Sequence, residues 1–165
     1  MSEPTRDIYD YSIDLLSRRA YSTFKLDRKL RQKKYPPNEI EVVLKLLRSE
    51  RYLRDDLYAD ARARTWARKG HSASQIKRLL ASEKLEISLI RVHEIFSESE
   101  RGEEDELKKL LQTHLRRISS VPTDRKAFFK LKQKISAALA RKGHSFSAFN
   151  LMLDQELKLL QARLS

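Results

Sequence analysis

The chain contains no cysteine, which excludes disulfide bonds and thiolate chemistry and is typical of a cytoplasmic protein. Only three glycines and four prolines occur among its 165 residues. This scarcity disfavours sheet proteins, which need many turns, and predicts an all-α fold. No run approaches the roughly 20 apolar residues of a membrane span. The polar, acidic start, MSEPTRDIYDYS, does not resemble a signal peptide.

Signatures of catalysis are also lacking. The sequence has no Gly-rich phosphate loop, no His-Glu-x-x-His motif and no cysteine nucleophile. Its four histidines, His71, His93, His114 and His144, include no pair at i, i+4 that could ligate a metal ion. We therefore expect a protein that is not an enzyme and that needs no cofactor or metal.

Positive charge is abundant and unevenly distributed, within a net charge of +12. Residues 12–84 contain 19 basic and 9 acidic side chains, a net of +10. Residues 85–106 contain 2 basic and 8 acidic side chains, a net of −6, and residues 107–147 contain 11 and 1, again +10. Two basic blocks flanking an acidic segment indicate a polyanionic or acidic partner, although solvated helix faces are the simpler alternative.

Apolar spacing predicts about nine helices. In the third, Ile40, Val43, Leu44 and Leu47 fall at i, i+3, i+4 and i+7, so they should form one buried stripe. In the eighth, which is long and basic, Phe128 should begin the buried stripe.

Two further helices have specific expected starts. Asp55 should cap a fourth helix, with Leu57 and Tyr58 on its buried side, because an acidic residue suits the positive end of the helix dipole. A sixth helix should begin near Glu86 and bury Leu89.

One short segment is repeated. The letters ARKGHS occur at residues 67–72 and again at 140–145, and a weaker copy, SRRAYS, occupies 17–22. Gly70 and Gly143 fall where a helix needs a left-handed residue after its last turn, a conformation that glycine adopts without steric cost. The repeat therefore predicts related helix–corner–helix units.

The residue after each repeated glycine is a histidine. In this kind of helix end, the residue after the glycine folds back onto the last helical turn. We therefore expect His71 to contact Trp66, and His144 to contact Leu139. These histidines are interpreted as cap contacts rather than metal ligands.

The order of these motifs resembles the RecX family, the regulators of the bacterial RecA recombinase. The matching residues of the second repeat are Tyr52, Leu53, Asp55, Tyr58 and Ala59, then Arg68, Lys69 and Gly70, then Ile76 and Leu80. LSRRAYS at 16–22, with Leu26 and Leu30, is similar to the first repeat, and LARKGHS at 139–145 is similar to the third. Departures are arginines at 51 and 54, where the family usually has glycine and Asn or Asp, and histidines instead of aromatic residues at 71 and 144.

The resemblance implies three tandem three-helix repeats, at 1–53, 54–98 and 99–165, in an elongated, curved array. The third would include the acidic linker. It also implies a cytoplasmic monomer that binds the RecA filament on single-stranded DNA and inhibits its recombinase, ATPase and co-protease activities within DNA repair and the SOS response. The basic residues expected to contact the filament or nucleic acid are Arg28, Lys29, Arg62, Arg64, Arg68, Lys69, Lys77, Arg78, Lys126, Lys130, Lys134, Arg141 and Lys142.

Two other functions remain open from the residues alone. Lys126, Lys130 and Lys134 run at i, i+4 and i+8, a row that can follow phosphates without reading sequence. The chain could therefore be a basic helical module that binds DNA directly, with weak DNA binding also compatible with the filament regulator. The same rows could instead dock an acidic protein partner.

Overall fold

The computed structural model describes residues 3–99 and 102–164, and every regular element in those ranges is an α-helix. The helices are α1 (Glu3–Arg18), α2 (Thr23–Gln32), α3 (Pro37–Ser49), α4 (Asp55–Arg68), α5 (Ala73–Ser82), α6 (Leu89–Glu98), α7 (Glu103–Leu115), α8 (Arg125–Arg141) and α9 (Phe146–Leu164). The expected all-α class with nine helices is confirmed for these ranges. Across the same residues, none of the helices is long and apolar enough to cross a membrane.

The chain divides into two compact units. The first comprises Met1–Arg62 with Leu79–Ile87, and the second comprises Ala63–Arg78 with Ser88–Ser165. Helices α4 and α5 therefore contribute residues to both units. The division into three repeats at 1–53, 54–98 and 99–165 stays a prediction.

In the first unit, α1 and α2 pack against α3 around a continuous apolar core. The stripe predicted for α3 is buried, with Ile40, Val43 and Leu47 at most 1% exposed. Helices α1 and α2 supply the facing residues, Ile8, Leu26 and Leu30. The 3.6-residue period therefore located this core correctly.

The prediction that Asp55 caps its own helix is wrong. Helix α4 begins at Asp55 itself, and the Asp55 carboxylate accepts a hydrogen bond of 2.7 Å from the backbone N–H of Thr23, the first residue of α2. The Ser22 hydroxyl accepts from the backbone N–H of Lys25 at 3.3 Å. Two side chains thus satisfy N–H groups that the first turn of α2 leaves unpaired, and one comes from a different helix.

Leu57 and Tyr58 do not lie in the core as expected. Leu57 is 55% exposed, whereas the buried side of α4 is formed by Ala59, Ala63 and Trp66, at i, i+4 and i+7. Tyr58 is half-buried, and its hydroxyl accepts a 3.0 Å hydrogen bond from the Lys25 ammonium. Small alanines on the buried stripe leave the larger side chains of the first turn at the surface.

The second unit contains a core made by α7, α8 and α9. Its buried centre includes Leu111, Leu139, Phe149 and Leu153, each at most 1% exposed. Phe128 packs at the edge of this core as a half-buried residue, so its predicted place is only partly right. The apolar period again locates the helix faces.

Helix α6 begins later than expected. Its first residue is Leu89, because the Ser88 hydroxyl accepts a 3.0 Å hydrogen bond from the backbone N–H of Arg91 and so fixes the start of the helix. Leu89 is 39% exposed, and the prediction that it is buried is wrong. Val92 and Phe96, further along α6, fill the interior instead.

Candidate functional site

The two copies of the repeated corner lie against each other in the second unit. Gly70 and Gly143 have left-handed backbones, with φ of 73° and 89°, as the sequence predicted. The backbone N–H of Ser72 donates to the carbonyl of Lys142 at 2.9 Å, and the Ser72 hydroxyl donates to the carbonyl of Gly143 at 3.0 Å. The end of α4 and the end of α8 are therefore held together through their caps.

The histidines complete this pairing. The backbone N–H of His71 donates to the Trp66 carbonyl at 3.0 Å, and that of His144 to the Leu139 carbonyl at 3.4 Å. These bonds show that the backbone of each corner folds back onto the last turn of its own helix, and the predicted side-chain contacts with Trp66 and Leu139 stay predictions. The imidazole rings, however, hydrogen-bond to the opposite corner, a contact that no local sequence pattern predicts.

Each ring has a different partner. The buried ring of His144 donates through Nε2 to the Gly70 carbonyl at 2.9 Å, which requires a proton on Nε2. The Lys142 ammonium donates to His71 Nε2 at 3.0 Å, which requires that nitrogen to be unprotonated. The two corners thus exchange ring contacts in both directions, and Lys142 is drawn into the joint.

Positive charge is concentrated at this joint. Burial lowers the pKa of His71 from 6.5 to about 4, and the neighbouring Lys142, His144 and Lys69 act in the same direction. Burial, together with Lys69, also lowers the pKa of Lys142. His71 is therefore neutral at pH 7, and its Nε2 can accept the hydrogen bond from the Lys142 ammonium.

Two arginines predicted to bind a partner are held within the fold. The Arg62 guanidinium donates to Glu83 at 3.1 Å, and Glu83 also pairs with Lys25 at 2.8 Å. The Arg64 guanidinium forms an ion pair with Glu98 at the end of α6, and Arg91 approaches the same carboxylate at 2.7 Å. Glu98, a residue of the acidic segment, thus forms ion pairs with one arginine of α4 and one of α6.

These contacts also affect the titration of Glu98. The hydrogen bonds from Arg64 and then Arg91 hold the pKa of the Glu98 carboxyl below its ordinary value. Arg68, one turn after Arg64, lines the same cleft as Arg64, Glu98 and Glu106, and it has no ion-pair partner within the described part of the chain. Arg68 is therefore available to an external anion, while Arg64 is not available without breaking an ion pair.

The remaining predicted contacts fall into separate groups. In the first unit, Arg28 is exposed and Lys29 is half-buried on α2. In the second unit, Lys69, Lys77 and Arg78 are exposed around the first corner, and the Arg78 guanidinium donates to the Gln75 side chain. Helix α8 holds the exposed residues Lys126, Lys130, Lys134 and Arg141 and the half-buried Lys142. Lys134 and Arg141 line one groove with His114 and Arg117.

Some side chains at these sites were not singled out from the sequence. From the sequence, Glu98 is one carboxylate of an acidic run. Nothing in that run shows which carboxylate pairs with Arg64, 34 residues earlier. Phe129, which is 66% exposed among the α8 lysines, was also overlooked. Its signal was present, since Phe128 and Phe129 are adjacent and both cannot lie on the same buried stripe.

Known proteins are similar to this chain, some over only part of its length and others over most of it. Residues 9–47 match the family model described as RecX, first three-helix domain. The regulatory protein RecX of Mannheimia succiniciproducens is 32% identical over 72 residues, or 44% of this chain and 47% of that protein. The Vibrio parahaemolyticus protein of the same name is 32% identical over 87 residues, covering 53% and 56%. These two matches therefore span only about half the length of each relative.

Longer matches have lower identity. The regulatory protein RecX of Haemophilus influenzae is 26% identical over 147 residues, or 89% of this chain and 93% of that protein. A crystal structure of regulatory protein RecX covers 93% of this chain and 73% of its own, with a TM-score of 0.69 and 22% identity. The RecX structure from Lactobacillus salivarius covers 96% and 99%, with a TM-score of 0.65 and 17% identity. The two structures establish a shared fold.

Proposed function

We propose that the chain is a regulator of the RecX type, which binds the RecA recombinase filament on single-stranded DNA and inhibits its recombinase, ATPase and co-protease activities. The relatives are named regulatory proteins, which supports a regulatory role. The nucleotide hydrolysed in this proposal belongs to the recombinase, so the chain itself needs no cofactor.

The observation that carries the proposal is a set of cations with no anionic partner. Nine of the predicted contact residues are exposed and have no ion-pair partner within residues 3–99 and 102–164: Arg28, Arg68, Lys69, Lys77, Arg78, Lys126, Lys130, Lys134 and Arg141. Three of them, Lys126, Lys130 and Lys134, lie in one row along α8, which a protein that needed charge only for solubility would not require. Such rows suit a polyanion such as the DNA of a recombinase filament.

The ion pairs divide the predicted contact residues into two classes. Arg62 and Arg64 stabilise the fold through Glu83 and Glu98. On α8, Lys126, Lys130 and Lys134 are free of such pairs in the described ranges, so a filament could contact them without competition from a carboxylate. We therefore assign the main electrostatic contact to α8 and a secondary one to Arg68 and Lys69.

The proposal is tested by measuring ATP hydrolysis by RecA on single-stranded DNA with and without this protein. Inhibition at up to severalfold excess is expected. Unchanged hydrolysis would overturn the proposal. Tight binding to bare DNA that persists at high salt, without any effect on RecA, would instead support the direct DNA-binding module.

The contact surface is tested by a charge-matched pair of variants. The triple variant Lys126→Gln, Lys130→Gln, Lys134→Gln should weaken inhibition. The control removes three cations that are paired within their own helices, by Arg18→Gln, Arg31→Gln and Lys45→Gln. Both variants lower the net charge by the same amount, so equal losses of inhibition would show that only total charge matters and would refute the assignment to α8.

A further inference from the structure

Helix α8 presents one stripe that is both basic and aromatic. Lys126, Lys130 and Lys134 are exposed at i, i+4 and i+8, so they follow one line along the helix at a spacing of about 6 Å per step. Phe129 lies three residues after Lys126, and Gln133 lies four residues after Phe129. The aromatic ring therefore borders the lysine row on the same side of the helix.

Phe129 does not belong to the apolar core formed by α7, α8 and α9. It is 66% exposed, and no aromatic ring or cation pairs with it within the described ranges. Phe128, the preceding residue, packs at the edge of the α7–α9 core. An aromatic side chain left in water between unpaired lysines gives up the free energy that burial would provide.

Elsewhere in the same unit, a lysine and an aromatic ring have partners within the protein. Lys132 pairs with Asp154 at 2.7 Å and lies 6.0 Å from the ring centroid of Phe146. Phe146 also packs edge-on against Phe149, with centroids 5.6 Å apart. Lys132 and Phe146 thus have internal partners, whereas the side chains of the stripe have none in the described part of the chain.

We propose that this stripe binds single-stranded nucleic acid, with a base stacked on Phe129 and the phosphates following Lys126, Lys130 and Lys134. Single-strand-binding surfaces combine a positive track for the backbone with aromatic side chains for the bases. A duplex hides the faces of its bases in the stack, so it can use the lysines but not the ring. The inference deepens the proposed function, since a RecA filament contains single-stranded DNA, but its test requires no recombinase.

The expected effects of the ring and of the lysines are separable. Loss of one base–aromatic stack should weaken binding about 5- to 150-fold. Each lysine contact to a single strand contributes about 0.7 to the slope of log K against log salt concentration. Removing the ring should therefore change affinity at constant salt slope, and removing the lysines should reduce the slope by about 2.

The experiment measures fluorescence anisotropy of the full chain with a labelled single-stranded oligonucleotide, the matched duplex and an abasic single strand. Phe129→Ala should lose affinity for the normal single strand, keep its affinity for the duplex and bind the abasic strand like the wild type. Phe129→Trp should retain binding to the normal strand. Leu151→Ala, which removes a 70% exposed apolar side chain from α9, should change nothing.

Other outcomes overturn the proposal. Equal loss on single strand and duplex, or no loss on the single strand, would show that Phe129 does not stack on a base. Thermal unfolding of each variant identifies any loss of binding that is due to misfolding, and Phe129→Trp keeps the ring testable if Phe129→Ala is unstable.

RecA ATPase inhibition, measured in parallel, separates the proposed single-strand-binding stripe from the proposed regulation of RecA. A wild type that inhibits RecA while Phe129→Ala binds normally overturns the stripe alone. A wild type that shows the ring effect without inhibiting overturns the proposed function alone.

Discussion

Substitution of Gly143 by alanine should loosen the joint between the two corners. Its backbone has φ of 89°, in the left-handed region where a side chain costs about 1–2 kcal/mol. A Cβ at this position would lie 2.5 Å from both Cβ of Gln75 and Oγ of Ser72. These neighbours belong to the opposite corner, so α5 would have to shift, and overpacking of this kind costs about 1–3 kcal/mol.

The loss is partly offset, because alanine restricts the unfolded chain by about 0.4–1 kcal/mol. We therefore expect Gly143→Ala to lower the free energy of unfolding by about 2–4 kcal/mol. Gly70→Ala should cost less, about 1–2 kcal/mol, because its Cβ would lie 3.0 Å from Cδ2 and 3.1 Å from Cβ of Leu110, which are longer contacts than those at Gly143.

Urea unfolding followed by circular dichroism measures this difference. The comparison is decisive if Gly143→Ala loses more unfolding free energy than Gly70→Ala. Both glycines have left-handed backbones, so they differ mainly in the side chains that face them. Equal destabilisation by the two substitutions would show that the corners do not pack closely. The backbone cost alone would then explain both results.

Three further predictions follow from the caps and ion pairs. Arg51→Gly should stabilise the protein by about 1 kcal/mol in the same urea assay, because Arg51 is held at φ of 64°, where glycine carries no steric cost; a loss of stability would contradict this. Glu98→Gln should release Arg64 and raise affinity for single-stranded DNA at low salt, with the gain vanishing at high salt, as anisotropy can measure. Folded His71 has a pKa of about 4 while the unfolded ring titrates near 6.5, so the stability it supports is complete above about pH 6.5 and falls towards pH 4. His71→Gln should make the melting temperature less dependent on pH across that window, and an unchanged dependence would refute the assignment.

Local features of the fold were predictable because they depend on residues close in sequence. The stripe of Ile40, Val43 and Leu47 follows from the helical period, and the left-handed backbones of Gly70 and Gly143 follow from the conformation that helix ends require. Each of these inferences needs only one helix and the residues at its end.

Features that depend on distant residues were not predictable. Asp55 was assigned to its own helix because no local pattern shows that its carboxylate reaches Thr23, 32 residues earlier. The pairing of His144 with Gly70 joins residues 74 apart. The repeated letters suggested two similar corners, but repetition alone does not show that the copies touch. Contact between them depends on how α4 and α8 pack in the folded unit.

Arg62 and Arg64 are held in ion pairs, whereas the basic row on α8 consists of lysines without such pairs in the described residues. The carboxylates of Glu83 and Glu98 are matched by Arg62 and Arg64, whose planar guanidinium groups form directed hydrogen bonds to them. On α8, like charges at i, i+4 oppose helix formation by about 0.2–0.5 kcal/mol for each neighbouring pair. Lys126, Lys130 and Lys134 form two such pairs, in a chain whose net charge of +12 already favours solubility. A polyanion bound along the row would remove this repulsion, so the same spacing that disfavours the free helix favours the bound one.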